Sequence, residues 1–287
     1  MIAPMIQDVA AREVAPGVHV VPDERVDLVP NVGILVGEEA ALVVDTGMGA
    51  ANGRQVLVRA RELAGERPLF LTLTHFHPEH GSGAQAFRGE ATLLYNESQR
   101  EELAEKFEGF VEMFSGFGPA VAELLADVEL VLPRITYRDG ATIDVGGKTV
   151  QLEPLGPAHT RGDQIAFLPE ERVLFAGDLV ENRFFPILPD EDAHGNAWIS
   201  VLERLEAMQP AVVVPGHGEV GDAGLIREAR EYLETVRSLV RGHAEEGRSV
   251  EEIRTALEPE IRERYASWDN EIWIGFAIEN FYRELDA

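Results

Sequence analysis

Thr74-His75-Phe76-His77-Pro78-Glu79-His80 is the densest stretch of chemistry in this 287-residue chain. Three of the eight histidines fall within six residues, with a carboxylate beside the last. The apolar run from Pro68 to Leu73 precedes it and reads as a buried strand. Pro78 then ends that strand. Alternate side chains of an extended chain share a face, so His75 and His77 are expected to point the same way. A turn after Pro78 brings Glu79 and His80 back toward the same point. Imidazole with carboxylate, converging at a strand end, is a donor set for a borderline metal such as zinc. The bland alternative is a surface loop that happens to be rich in histidine.

Working outward, apolar runs alternate with turn residues. Gly17–Val21 and Val32–Val36 read as paired strands, with Gly37-Glu38-Glu39 as a turn. Ala41–Val44 is a third, ending at Asp45-Thr46-Gly47, and a helix over Ala51–Ala64 leads to the histidine strand. A short helix and turn over Gly81–Gly89 and a strand over Ala91–Tyr95 follow. Glu97–Val128 breaks the rhythm. Its Leu103, Phe107, Phe110, Val111 and Phe114 are spaced for a helix, and Gly116-Phe117-Gly118-Pro119 divides it into two. Strands are expected again at Val128–Leu132, Ala141–Val145, Thr149–Leu155, Gln164–Leu168, Val173–Ala176 and Ala211–Val214, with a helix over Ala197–Met208. From Gly224 the chain reads as helical and charged, with an apolar patch at Ile272–Tyr282 that packs on the body or forms a homodimer contact. Strands in two groups, with helices before and between, suggest two packed sheets rather than one regularly alternating parallel sheet.

The acidic excess is large: 51 Asp and Glu against 25 Lys and Arg, for a net charge of −26. That disfavours nucleic acid, which is gripped by basic surfaces, and anionic membranes. Cysteine is absent, which removes disulfides, thiolate ligands and a cysteine nucleophile. No signal-peptide pattern or membrane-length apolar run is present, so a cytoplasmic location is the expectation.

Three more polar residues stand where apolar runs meet glycine. His159 follows Leu155-Gly156-Pro157-Ala158, Asp178 follows Val173–Gly177, and His217 lies within Pro215-Gly216-His217-Gly218. Glycine lets the backbone turn sharply and approach a site closely. Singly, each could cap a strand or brace a loop. With His75, His77, Glu79 and His80 they make seven candidate ligands.

In the Asp45-Thr46-Gly47 turn, the histidine cluster, His159, Gly177-Asp178 and Pro215–Gly218, the chain resembles the metallo-β-lactamase superfamily over roughly residues 14–222. The resemblance implies an α+β fold, an αββα sandwich of two mixed sheets with outer helices and a metal site along one edge. One domain is expected over 1–287, with inserted helices at about 97–128 and a helical extension at about 223–287. The resemblance further implies that His75, His77 and His159 hold one divalent ion, that Glu79, His80 and His217 hold a second, and that Asp178 bridges them. Zinc is the first expectation, with iron or manganese as alternatives. The superfamily usually has Asp where this chain has Glu79. The extra methylene leaves three roles for Glu79: ligand, weaker ligand, or base beside the metal.

The implied chemistry is hydrolysis. Paired cations make hydroxide from a shared water near neutral pH, and one polarises the electrophile. Glu79 and Asp178 are the catalytic candidates, orienting the nucleophile and passing a proton to the leaving group. The expected partner is a small organic molecule with an ester, thioester, lactone or amide bond. Asp45, Thr74 and Thr160 are read either as groups that orient the imidazoles or as turn and cap residues. Phe107, Phe110, Met113, Phe114 and Phe117 either line an apolar wall above the metals or bury the inserted helices. Arg161, Asn182 and Arg183 lie near ligands in sequence. His194, in Asp190-Glu191-Asp192-Ala193-His194, reads as a solvated loop residue, and His19 and His243 as structural or exposed. The alternative activity is a mononuclear iron sulfur dioxygenase like the persulfide dioxygenases, with iron on His75, His159 and Asp178. A nuclease is disfavoured by the charge, and a purely structural metal by the openness of such a site.

Overall fold

The computed structural model describes residues 3–7, 10–188 and 192–286. Its strands fall into two sheets. The first is built from β1 (Arg12–Ala15), β2 (Val18–Val21), β3 (Val32–Val36), β4 (Ala41–Val44), β5 (Leu69–Thr72), β6 (Ala91–Asn96) and β7 (Ile135–Tyr137), side by side in that order. β1 to β4 pair antiparallel, and β4 to β7 pair parallel. The second sheet contains β8 (Ala141–Asp144), β9 (Thr149–Pro154), β10 (Gln164–Leu168), β11 (Val173–Gly177) and β12 (Val212–Pro215), again in chain order across the sheet. Only β11 and β12 pair parallel there.

Period-2 alternation divides the core into layers. Val18, Val20, Leu35, Leu42 and Val44 from the first sheet meet Val150, Leu152, Ala166, Leu168 and Phe175 from the second. The opposite face of the first sheet, including Ile34, Val43 and Leu71, is covered by Val56 and Ala60 of α1 (Gly49–Ala64). A one-turn α2 (Pro78–Gly81) follows β5, and α3 (Glu97–Ser115) and α4 (Pro119–Leu125) lie between β6 and β7. The outer face of the second sheet packs on α5 (Gly195–Ala207), α6 (Gly224–Glu245), α7 (Val250–Arg264) and α8 (Trp273–Arg283) through residues such as Trp198, Tyr232, Ile253 and Ile278. The result is the expected sandwich of two mixed sheets between helical layers.

Two sequence expectations differ. Val128–Leu132 forms no strand; Pro133 has no N–H to give and biases Leu132 away from regular pairing, and the parallel partner of β6 is Ile135–Tyr137 instead. β1, not picked out as a strand in the sequence, is an edge strand charged at Arg12 and Glu13, with no buried residue. Of the C-terminal patch, Ile274, Ile278 and Phe281 are buried in the helical layer, while Ile272 and Phe276 are exposed. No helix among the described residues is long and apolar enough to cross a membrane.

Candidate metal centre

The strand carrying the histidine cluster stops at Thr72, so His75 and His77 are not consecutive same-face residues of β5. They converge through the loop that follows. His77 takes the N-cap position of α2 and Pro78 the first helical position, where its missing N–H and fixed φ suit a helix start. Pro78 thus opens a helix rather than ending β5, which stops at Thr72, and that turn carries Glu79 and His80 inward. From the second sheet, His159 comes from the β9–β10 loop, Asp178 from the residue after β11, and His217 from the turn after β12.

Two donor groups result: His75, His77 and His159, and beside them Glu79, His80, Asp178 and His217. Within each, the ligand atoms lie within 4.8 Å of one another, and all seven residues are buried. Glu79, despite its extra methylene, stands in the second group. Asp178 splits its oxygens. Oδ2 lies 3.9 Å from His75 Nε2 and 3.6 Å from His159 Nε2. Oδ1 lies 3.0 Å from His80 Nε2 and 3.9 Å from His217 Nε2. His77 offers Nδ1, 3.1 Å from His159 Nε2. Donors on a tetrahedral ion at about 2.0–2.1 Å stand roughly 3.3 Å apart, inside this spread. His75 Nε2, His80 Nε2, Glu79 Oε2 and both Asp178 oxygens are buried without a hydrogen-bond partner. Orphaned buried polar atoms are costly, and a shared cation would satisfy them together.

The electrostatics of the two groups differ. Burial holds His75 and His77 well below the ordinary imidazole range, which leaves them neutral and able to donate a lone pair. Burial also opposes charge on His80, but the Asp178 and Asp45 carboxylates outweigh it and hold that ring well above its usual range. Asp178 is held low against its own burial by His80, His75 and His217. Burial pushes Glu79 up to about 7.

Backbone and carboxylate groups fix the rings from behind. His159 Nδ1 lies 2.7 Å from Ile187 O, and His217 Nδ1 2.8 Å from Val29 O. His80 Nδ1 is 2.9 Å from Asp45 Oδ2. Asp45 also accepts from the Thr74 N–H at 2.7 Å and the Thr74 hydroxyl at 2.8 Å, so Asp45 and Thr74 both act at the site. Asp163 accepts from the N–H groups of His159 and Thr160, at 2.7 and 2.9 Å, and from the Thr160 hydroxyl, closing the loop that aims His159. The His217 turn is held by Glu181, which accepts the His217 N–H at 2.8 Å, by Asp23, which accepts the Gly218 N–H at 2.7 Å, and by Asn31, which donates to Pro215 O and Gly218 O. Helix α3 is bolted to the same frame. Gln99 donates to Leu73 O and Thr74 O, and Glu102 accepts from the N–H groups of Arg161 and Gly162.

Asp23, Asn31, Gln99, Glu102, Asp163 and Glu181 went unnoticed in the sequence. Only Asp163, four residues from His159, carried a local signal. Gly216 is required by closeness alone: a Cβ there would stand 2.0 Å from Asp178 Oδ1. The remaining sequence candidates lie elsewhere. Arg161 pairs with Glu105, Asn182 donates to Glu219 O, and Arg183 is exposed. His194 caps α5 by accepting the Ala197 N–H, while Asp190 and Glu191 lie outside the described residues.

Known proteins resemble this chain in sequence and fold. A linear primary-alkylsulfatase from Pseudomonas is 27% identical over 216 residues, 63% of this chain and 40% of the relative. The human acyl-coenzyme A thioesterase MBLAC2 is 27% identical over 222 residues, 71% of this chain and 78% of the relative. The chain thus spans less than half the length of the alkylsulfatase. Among solved structures, a metallo-beta-lactamase family protein from Thermus thermophilus superimposes with a TM-score of 0.69 at 20% identity, covering 96% of each chain. The sec-alkylsulfatase Pisa1 from Pseudomonas reaches 0.72 at 16% identity, covering 96% of this chain and 50% of that one. The profile of the metallo-beta-lactamase superfamily matches residues 25–217, more than half of the sequence, and with the sandwich and its edge cluster in place this chain belongs to that superfamily.

Proposed function

We propose that this protein is a metal-dependent hydrolase of small organic substrates. His75, His77 and His159 would hold one divalent ion and Glu79, His80 and His217 a second, with Asp178 facing both. The observation that carries this reading is the split of the buried Asp178 oxygens between the two donor groups. Imidazole with carboxylate, and no thiolate, suits zinc first, then iron or manganese. Bound there, such ions supply an activated water and polarise the scissile bond. The protein's own part is positional. Asp178 would orient the nucleophile, and the Glu79 carboxylate oxygen not committed to the ion would take its proton and return it to the leaving group.

Esters, thioesters, lactones and amides are the substrate bonds proposed, and the alkylsulfatase relative adds sulfate esters to the set worth testing. The charge of −26 supports a small molecule over nucleic acid or an anionic membrane. The sulfur dioxygenase reading is weaker because it leaves His77, Glu79, His80 and His217 without a metal. Metal analysis of anaerobically purified protein, with a hydrolysis screen over these bond types, tests the proposal. Two ions per chain and turnover of at least one class are expected; a single iron with oxygen uptake and no hydrolysis overturns it.

A further inference from the structure

Lys106, on α3, is one of two lysines in the chain, and its side chain is only 21% exposed. Its Nζ sits 5.3 Å from the Phe76 ring centroid and 6.0 Å from that of Phe110, within cation–π reach. Both rings touch His77, at 4.8 and 5.0 Å between centroids. Burial is the first cause of the neutral His77 ring, and the Lys106 charge works in the same direction.

An ammonium is a compact charge with three donors, so it can serve more than one carboxylate. Lys106 does so. Buried Glu102, one turn earlier on α3, lies 3.6 Å from Nζ, and Asp192, from the loop between β11 and α5, is ion-paired with it. These carboxylates lead to opposite ends of the loop that carries His159. Glu102 accepts the N–H groups of Arg161 and Gly162, at 3.2 and 2.7 Å, just after His159. Two residues past Asp192, the His194 N–H donates to Ala158 O at 2.8 Å, just before His159. Between them Ala193 is buried, and its carbonyl accepts from Asn280 Nδ2 at 2.8 Å. The backbone around His159 is thus held on both sides, and one ammonium joins the two holds.

The first donor group makes that join consequential. His75 and His77 come from the β5–α2 segment and His159 from the β9–β10 loop, so separate parts of the chain must meet within metal–ligand tolerances of about 0.2 Å. α3 belongs to the first part and the 192–194 segment to the second. A partly exposed ion pair contributes little to stability by itself. Here its effect falls on geometry.

We propose that Lys106 is a positioning residue for the first ion: by joining Glu102 to Asp192 it fixes the His159 loop against α3 and so sets the affinity of the His75, His77 and His159 group. This rests on the metal-dependent reading of the site. A lysine close to a cation site also repels the cation. Loss of its charge alone would tighten the first ion, whereas release of the His159 loop loosens it, so the sign of the change separates the two roles.

The test is calorimetric titration of zinc into metal-free wild type, K106M and K106R, with thermal melts confirming the fold. The step that survives in His80→Ala reports the first group. In K106M that step should weaken about tenfold, the low end for a partner behind a metal-bound histidine, and the other by less than about threefold. K106R keeps the charge and can reach both carboxylates, so it should stay within about threefold of wild type. K106Q, measured in parallel, carries the expectation of K106M if that variant does not fold. A first step unchanged or tightened in the neutral variants overturns the proposal, as do equal losses in both steps or a loss in K106R as large as in K106M. Wild type that takes up no zinc overturns the metal-dependent reading as well. If the zinc results are as expected while the hydrolysis screen fails, the role of Lys106 stands and the hydrolase reading falls.

Discussion

Asp45→Asn tests whether the groups behind the imidazoles set metal affinity. Asp45 has φ +69°, a left-handed conformation that Asn also tolerates, so the backbone need not move. The side chain is buried and makes three contacts as an acceptor: Oδ1 to the Thr74 N–H at 2.7 Å, Oδ2 to the Thr74 hydroxyl at 2.8 Å and to His80 Nδ1 at 2.9 Å. Asn keeps one acceptor oxygen. With that oxygen on the Thr74 N–H, its NH₂ group faces two donors where a carboxylate oxygen stood. Losing a hydrogen bond to a charged group costs about 1.5–3 kcal/mol, or roughly ten- to a hundredfold. Replacing a partner of a metal-bound histidine commonly costs the same ten- to a hundredfold in affinity. His80 belongs to the second donor group only. Zinc titrated calorimetrically into metal-free protein should therefore show one binding step weakened by about ten- to a hundredfold and the other by less than about threefold. Thermal melts of the metal-free proteins separate this from a loss of fold. Two unchanged steps, or equal losses in both, would refute the assignment of Asp45 to His80.

Gly216→Ala places a methyl 2.0 Å from Asp178 Oδ1, so metal stoichiometry should fall below that of wild type, at a stability cost of about 1–3 kcal/mol; full loading measured by atomic emission would show that Asp178 does not span the ions. Glu102→Gln addresses pH. Burial raises Glu102 to about 7 from an ordinary 4.5, so the folded protein binds that proton more tightly than the unfolded chain. Its contribution to stability is full below about pH 4.5 and is lost as pH climbs through about 7. Between pH 5 and 8, urea unfolding of metal-free wild type should lose up to about 3 kcal/mol more than Glu102→Gln; parallel pH curves would remove Glu102 from the account.

Among the strands the sequence revealed, β4 and β11 are continuous apolar runs and β10 is one after Gln164, with every residue buried, while β8 and β9 are only partly buried. β1 had no such signature because edge residues Arg12 and Glu13 face water. Val128–Leu132 carried the signature without the pairing. The seven candidate ligands were legible for a related reason: they stand in the short turns that follow apolar runs. The residues that aim them were not. Asp23 acts on a backbone N–H 195 residues away and Glu102 on one 60 away. A carboxylate with a backbone partner that distant leaves no spacing to read; only the folded sandwich brings the two together.

Both donor groups straddle the two sheets. Each takes two residues from the β5–α2 segment, and the rest come from loops after β9, β11 and β12. During synthesis the first sheet emerges whole by Tyr137, carrying His75, His77, Glu79 and His80, yet neither group can close. The first waits for His159 and the second for His217, by which point β12 has joined its sheet. A truncated or half-folded product therefore holds histidines without a competent centre. Filling of both groups, but not of the first alone, would require the chain through residue 217 and the docking of both halves.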